Sequence, residues 1–212
     1  MLKSNYILDN YNKELDHFSK NLKEDILKVF DNNYRNFNFE WCDKTYGGYE
    51  FLYKLSNNNK KGTKIKSNGT MSVLRSKEEL KNNYKYNIKF KIGLKTKGDF
   101  DIGIGTEKAG EKHWLRGKES LCISNEGIMS SGLCMDDSFE LKDNDIIDLE
   151  ISTKEGNKYF KVSLNDKLIC LIDFEFKNIY IMAAMRNTGN FIEVIEYNIY
   201  EYAESTYNEN LK

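Results

Sequence analysis

The most regular hydrophobic pattern in the chain is an alternation of apolar and polar residues between residues 84 and 92. In the stretch YKYNIKFKI, every second residue from Tyr86 to Ile92 is apolar, and lysine or asparagine stands between them. Successive side chains of a β-strand point to opposite faces, so this pattern predicts a strand with one buried and one solvated face. Half-solvated strands of this kind are typical of antiparallel sheets.

The same alternation recurs at short intervals down to residue 199. In YFKVSLNDKLICLIDF it is interrupted by Asn165 and Asp166, which suit the positive φ angles of a tight hairpin turn. The predicted strands cover residues 84–92, 100–105, 145–151, 159–174 (this hairpin), 179–185 and 191–199, with weaker ones near 37–42, 49–55, 69–74, 120–124 and 127–131. No helical pattern separates them, which excludes parallel α/β folds because those need crossover helices. We therefore predict a mainly β chain that folds as an antiparallel jelly-roll-type β-sandwich.

Residues 5–31 follow a different period. Apolar residues recur there at spacings of three and four, from Leu8 to Phe30, with lysine and acidic residues between them. This pattern predicts an amphipathic α-helix that either packs on the sandwich or forms a homodimer with a second copy as a short coiled coil. The predicted organisation is an N-terminal helix over 1–35, the β-sandwich over 36–203 and a polar C-terminal tail over 204–212.

Charge is balanced overall but unevenly distributed. The 212-residue chain has a net charge of −1, yet residues 54–97 hold thirteen Lys or Arg against two Glu, and residues 136–212 hold eight against sixteen acidic residues. A basic segment can bind nucleic acid or acidic lipid. Lysine also occupies the solvent face of alternating strands, and we favour that interpretation, which predicts no nucleic-acid partner.

The N-terminal segment has no long apolar run, so neither a signal peptide nor a transmembrane helix is expected. The four cysteines contain no C-x-x-C pair, and three of them stand in or next to apolar, strand-like segments. Buried reduced thiols therefore fit better than a disulfide framework. Together these features predict a cytoplasmic protein with no membrane partner.

Candidate catalytic groups are few. The chain has two histidines, and no cysteine stands in a catalytic context beside His113. Among acidic pairs that could serve a glycosidase, Glu193 and Glu196 are expected on opposite faces of a strand because their spacing is odd. Asp148 and Glu150 share a face, but it points away from the core. The turn acids lack a spaced ligand set and no nucleotide-binding motif is present, so we predict a non-catalytic protein without a cofactor or metal.

The order of these segments resembles the SPRY/B30.2 domain family, which has a concanavalin A-like β-sandwich. The matching segments are YNIKFKI (86–92), FDIGIG (100–105), Trp114, LCISNEG (121–127), NDIIDLEI (144–151), YFKVSLNDK (159–167) and IYIMAAM (179–185). The resemblance covers roughly residues 36–200. It departs from the family where Asn144 and Asp166 replace glycines, although both residues tolerate turn conformations.

This resemblance implies a non-catalytic interaction module that binds a peptide or folded protein partner through loops at one rim of the sandwich. It also implies that the N-terminal helix stands where a coiled coil often ends in such proteins. Two alternatives stay open from the residues: a carbohydrate-binding or glycan-cleaving jelly-roll domain, and a structural subunit of a larger assembly.

Candidate partner-binding residues follow from a predicted hairpin of residues 85–94 and 99–105, whose open end brings the segments 75–84 and 106–119 to one rim. The candidate residues on these segments are Trp114, Arg116, His113 and Arg75, and Arg186, in the turn after the buried strand 179–185, is a further candidate for the same rim. Trp and Arg side chains often dominate binding energy at interfaces. Because an unpaired guanidinium is seldom buried, Arg75 and Arg116 are expected at the surface. Trp114 either caps the core or contacts the partner.

Overall fold

The structure is a computed structural model of the chain. It describes residues 38–42, 52–66, 71–95, 100–110, 115, 119–125, 127–130, 133–136 and 140–202. The predicted helix over residues 5–31 and the predicted tail over 204–212 lie outside the described residues.

Thirteen strands and one helical turn make up the described part of the chain. They are β1 (Tyr53–Ser56), β2 (Lys61–Lys64), β3 (Ser72–Arg75), β4 (Tyr84–Gly93), β5 (Phe100–Thr106), α1 (Glu107–Gly110), β6 (Ser120–Ser124), β7 (Gly127–Ser130), β8 (Leu133–Asp136), β9 (Ile146–Lys154), β10 (Asn157–Leu164), β11 (Lys167–Asp173), β12 (Ile179–Met185) and β13 (Phe191–Glu201). Two antiparallel sheets result: a seven-stranded sheet in the order β1-β2-β13-β4-β9-β10-β11 and a six-stranded sheet in the order β3-β12-β5-β6-β7-β8. The prediction of a mainly β sandwich is confirmed.

Most of the predicted strands are present, and the differences concern short segments. The β10–β11 hairpin turns at Asn165 and Asp166, whose φ angles are 49° and 64°, as the sequence predicts. The strands β2 and β8 were not predicted, because neither shows a clear alternation over its four residues. Near residues 37–42 the described residues form only an isolated bridge between Trp41 and Ser76.

The predicted hairpin of β4 and β5 is wrong. β4 pairs with β13 and β9 in the seven-stranded sheet, whereas β5 pairs with β12 and β6 in the six-stranded sheet. The chain between them therefore crosses from one sheet to the other. Alternation sets which face of a strand is buried, but it carries no information about which sheet the strand joins.

The core lies between the two sheets. On the seven-stranded sheet the buried positions alternate, as in Tyr86, Ile88, Phe90 and Ile92 of β4, all with no exposed surface. One of the two tryptophans, Trp41, belongs to this core: its ring lies 5.8 Å from the ring of Phe90, and its indole Nε1 donates to the carbonyl of Lys60 at 3.1 Å.

The strands β3, β5 and β6 of the six-stranded sheet are buried on both faces. The outer face of this sheet carries an apolar cluster made by strand residues, by the residue before β3 and by two residues that follow β5. The members are Met71, Val73, Cys122, Met129, Met182 and Ala184, with Ala109 and Leu115. β12 was predicted to be buried on both faces, and all its residues except Tyr180 are buried.

A β-bulge in β13 changes the prediction for the acidic pair of this strand. The register shifts between Val194 and Glu196, so the extra residue Ile195 is half-exposed. Glu193 then pairs with Lys91 and Glu196 with Lys89, both on the solvated face of β4. The expectation of opposite faces is wrong, because one inserted residue reverses the alternation beyond it.

The basic and acidic halves of the sequence come together in the seven-stranded sheet. β4, which is lysine-rich, lies between β9 and β13, which carry acidic residues. Lys85 contacts Glu150 at 3.2 Å, and Lys89 lies 3.9 Å from Asp148 and 4.0 Å from Glu196. The lysines of β4 therefore form the solvated face of a strand, as we favoured, and face carboxylates across the strands.

Lys64 is fully buried at the end of β2. Its ammonium group contacts the hydroxyl of Ser72 and lies 5.0 Å from the centre of the Tyr53 ring. No contact with a carboxylate is found for it among the described residues. Because burial disfavours the charged form, the pKa of Lys64 is lowered to about 8.

Lys64→Met is expected to remove a pH dependence of stability. The lysine of the unfolded chain titrates near ~10.4, so between pH 8 and that value the unfolded chain binds more protons and stability rises with pH. The free energy of unfolding should increase by about 2 kcal/mol from pH 7 to pH 9.5. Urea unfolding at both pH values checks this. Lys54→Met, which removes an exposed lysine of the neighbouring strand, should keep the increase, and an equal increase in Lys64→Met would contradict the assignment.

Candidate partner-binding rim

One end of the six-stranded sheet brings together the segments that follow β3 and β5. Both strands are antiparallel to β12, which lies between them, so β3 and β5 run in the same direction and end at the same edge. We call this edge the Arg75 rim, after the last residue of β3. Arg75 at the end of β3 and Glu107 after β5 meet there through the shared neighbour β12, and not through a β4–β5 hairpin.

Arg75 is held by two neighbours on this rim. Its Nη1 donates to Oε1 of Glu107 at 3.2 Å, and its guanidinium carbon lies 4.1 Å from the centre of the Tyr180 ring. Only 8% of Arg75 is exposed, so the expectation of a surface arginine is wrong. A guanidinium is buried here because an ion pair and an aromatic face replace water around it.

Glu107 and Tyr180 are the residues of this rim that the sequence did not indicate. The side chain of Glu107 is 58% exposed although it pairs with Arg75. Burial raises the pKa of the Tyr180 hydroxyl, an effect that the positive charge of Arg75 partly opposes. The sequence feature that could have indicated Tyr180 as a rim residue is its hydroxyl, which stands in an otherwise apolar strand.

The segment between β5 and β6 is fixed at both ends and at one internal position. At its base, the Thr106 hydroxyl donates to Oε2 of Glu119 at 2.9 Å, and the Thr106 amide donates to the Glu119 carbonyl at 3.1 Å. Internally, Leu115 has no exposed surface, and its carbonyl accepts hydrogen bonds from Ser120 Oγ at 2.7 Å and Cys122 Sγ at 3.5 Å. The segment is thus seated on the outer apolar cluster at Leu115.

Three of the predicted site residues lie in this segment but outside the described residues. They are His113, Trp114 and Arg116. Both alternatives for Trp114, a cap on the core or a contact with the partner, therefore stay predictions. Cys122 was predicted to be buried in the following strand, and it is, although it faces the outer apolar cluster rather than the space between the sheets.

The segment between β3 and β4 is also held in place on this rim. The Ser76 amide donates to the Ile181 carbonyl at 2.8 Å, and the Leu80 amide donates to the Ile179 carbonyl at 2.8 Å. Leu80 is 2% exposed, and the Lys81 amide donates to the Tyr86 hydroxyl at 2.7 Å. The backbone of residues 76–81 is thus held by hydrogen bonds to β12 and β4.

Arg186 does not join the Arg75 rim. β12 begins at this rim with Ile179 and Tyr180 and ends with Met185, so Arg186 follows at the other end of the strand. Six residues of strand span roughly 20 Å. The prediction that groups Arg186 with Arg75 is therefore wrong. The sequence alone does not show in which direction β12 runs relative to β3.

Neither a metal site nor a membrane-spanning element was found in the described part of the chain. No group of three His, Cys, Asp or Glu side chains is placed to hold a metal ion there. No described helix has both the length and the apolar character needed to cross a bilayer. Cys42, Cys122 and Cys170 form no disulfide, and the latter two are buried, in line with the prediction of reduced thiols.

Comparison with known proteins gives no match by sequence. No family model matches the chain, and no curated protein matches it.

Similar folds are found among solved structures. The SPRY domain of human HERC1 aligns with a TM-score of 0.57 at 12% identity, covering 74% of this chain and 96% of that domain. The PSpry domain of TRIM65 aligns with a TM-score of 0.56 at 11% identity, covering 80% and 96%. The Drosophila melanogaster neuralized NHR1 domain aligns with a TM-score of 0.50 at 10% identity, covering 76% and 99%. The predicted resemblance is confirmed, and the chain has the fold of the SPRY domains.

Proposed function

We propose that this chain is a non-catalytic protein-interaction module that binds a peptide or folded protein partner at the Arg75 rim. The SPRY fold supports an interaction role by analogy. The observation that carries the proposal is the seating of the segment after β5. Leu115 is buried and its carbonyl accepts a hydrogen bond from Ser120, so the sheet holds the position that Trp114 and Arg116 flank in the sequence.

The second support is the preorganised charge on the rim. Arg75 is fixed between Tyr180 and Glu107, and Glu107 keeps more than half of its side chain exposed. A partner that approaches this edge therefore meets a carboxylate whose position is already set. Fixing side chains before binding lowers the entropy that binding costs.

We extend the proposal to the setting of the protein. Cys122 and Cys170 are buried and form no disulfide, which supports a cytoplasmic location. The amphipathic pattern over residues 5–31 fits a coiled coil that pairs two copies and presents two rims.

A double substitution tests the proposed site. Trp114→Ala with Arg116→Ala should reduce capture of specific partners by at least about tenfold, because Trp and Arg anchors each contribute more than 1 kcal/mol at typical interfaces. The measurement is quantitative mass spectrometry of proteins retained by the immobilised full chain.

The matched control for this experiment is Lys167→Ala with Leu168→Ala. This pair also removes one basic and one apolar side chain, but it lies on β11, an edge strand of the other sheet, where Leu168 is 55% exposed. The control should retain the partners. If the Trp114 and Arg116 variant unfolds at the same temperature as the wild type and keeps every partner, the Arg75 rim is not the binding site.

A further inference from the structure

The strand β11 forms one edge of the seven-stranded sheet, and no described strand pairs with its outer side. Its sequence is KLICLID, so every residue between Lys167 and Asp173 is apolar or cysteine. An edge strand presents a row of unpaired N–H and C=O groups, which proteins commonly protect with charged residues, proline or a covering segment. Here charge stands only at the two ends of the strand. A long apolar edge of this kind is a surface for pairing with a further strand.

Two leucines of this edge are exposed on the same face. Leu168 and Leu171 are 55% and 60% exposed, although a spacing of three residues places side chains on opposite faces of a regular strand. A β-bulge changes the spacing, because the register with β10 shifts and leaves Ile169 as an extra residue. Leu168 then pairs with Ser163 and Leu171 with Lys161, both on the solvated face of β10. The bulge thus places two leucines side by side along the unpaired edge.

The strand β11 is self-complementary in an antiparallel pair centred on Cys170. The bulge makes two residues occupy one position, so Leu171 of each copy lies across from the Leu168–Ile169 step of the other. Each exposed leucine is therefore covered by apolar residues of the second copy. The strand begins with Lys167 and ends with Asp173, so the basic end of each copy also lies at the acidic end of the other.

Self-pairing also explains how this edge can exist without aggregation. A two-fold pair uses the same strand of both copies, so no apolar edge of this kind is left over and the assembly closes as a dimer. A single pair of strands is smaller than a standard protein interface. We therefore expect a weak dimer that dissociates at low micromolar concentration.

We propose that β11 is a dimerisation edge, at which two copies of this chain pair antiparallel and join their seven-stranded sheets into one. The Arg75 rim belongs to the other sheet, and the proposal does not depend on the proposed protein-interaction function. A covalent product formed at this edge joins two copies of this chain, so its mass distinguishes it from a partner bound at the Arg75 rim.

Sedimentation equilibrium of the full chain between about 5 and about 500 μM tests the proposal. The weight-average mass of the wild type should rise with concentration. Leu171→Lys should raise the dissociation constant by at least about tenfold, because it brings a charge to an apolar position of the strand pair. Leu168→Lys should act in the same way. Both leucines are exposed, so thermal unfolding should show that both variants are folded.

Ile195→Lys is the matched control. It makes the same kind of exchange at an apolar residue that is 50% exposed, but on β13, with β4, β9 and β10 between it and β11. This variant should associate like the wild type. A coiled coil over residues 5–31 contributes equally to every chain compared, so the difference between the variants reports on β11.

Cysteine crosslinking tests the antiparallel register. When the Leu168→Cys chain is mixed with the Leu171→Cys chain, the two introduced thiols lie across from each other, within the range that a disulfide spans. Under a mild oxidant the mixture should give more disulfide-linked dimer than the wild type or either variant alone. A wild-type mass that does not change with concentration, a Leu171→Lys chain that associates like Ile195→Lys, or equal crosslinking in the mixture and in each variant alone would each overturn the proposal.

Discussion

Gly103→Ala is expected to destabilise the domain by at least about 4 kcal/mol, enough to leave little folded protein. Gly103 is in the middle of β5 and pairs with Cys122 on β6. A Cβ atom built on Gly103 would overlap the carbonyl oxygen of Leu121 and stand 2.6 Å from the Cα of Cys122. Both obstacles are backbone atoms of the neighbouring strand, so no side-chain rotation relieves the overlap.

Gly156→Ala is the matched control for this experiment. Gly156 is in the β9–β10 turn, where an added Cβ meets nothing within 4 Å but the backbone has a φ of 75°. The expected cost is about 1 kcal/mol, which reflects only the left-handed conformation. Thermal unfolding followed by circular dichroism checks both variants. A melting temperature for Gly103→Ala within a few degrees of the wild type would contradict the packing of β5 against β6.

Leu115→Ala is expected to cost about 3 kcal/mol of folding stability, within the range observed for buried leucines. Leu115 lies in a loop, but it has no exposed surface and packs in the outer apolar cluster. Its removal leaves a cavity beneath the segment between β5 and β6. The substitution keeps the Leu115 carbonyl, but without the side chain that packs in the cluster, the hydrogen bonds from Ser120 and Cys122 to this carbonyl should weaken and the segment should loosen.

Leu171→Ala provides the comparison. Leu171 is 60% exposed on β11, and its truncation should change the free energy of unfolding by no more than about 0.5 kcal/mol. Urea unfolding of the two variants measures the difference. Equal midpoints would mean that Leu115 does not anchor the segment. If the proposed function is right, Leu115→Ala should also weaken partner binding in the absence of urea, at a temperature where the variant is fully folded.

Strand positions were predictable from the sequence because the alternation of β4 and β13 records a buried and a solvated face. Sheet membership was not predictable, since β4 and β5 alternate in the same way but belong to different sheets. The bulge at Ile195 escaped prediction for a related reason. The stretch FIEVIEY contains no glycine or other residue that marks an inserted position. Strict alternation counted from Glu193 therefore predicted the wrong face for Glu196.

The candidate rim was predictable only in part. From the sequence we predict that the segments 75–84 and 106–119 lie at one rim. The structure places Arg75 beside Glu107. The burial of Arg75 was not predictable, because its partner is 32 residues away in the chain and its aromatic neighbour Tyr180 comes from β12. Such contacts depend on the order of strands in the sheet, which periodicity does not encode.

The central claim is that a partner binds at the Arg75 rim through the segment seated by Leu115. Site-specific photo-crosslinking tests it most directly, with a photoreactive amino acid placed at position 114 in one variant and at position 168 on β11 in another. We expect a crosslinked partner from position 114, competed by unlabelled wild-type chain, and none from position 168. A partner crosslinked equally from both positions, or only from position 168, would contradict it.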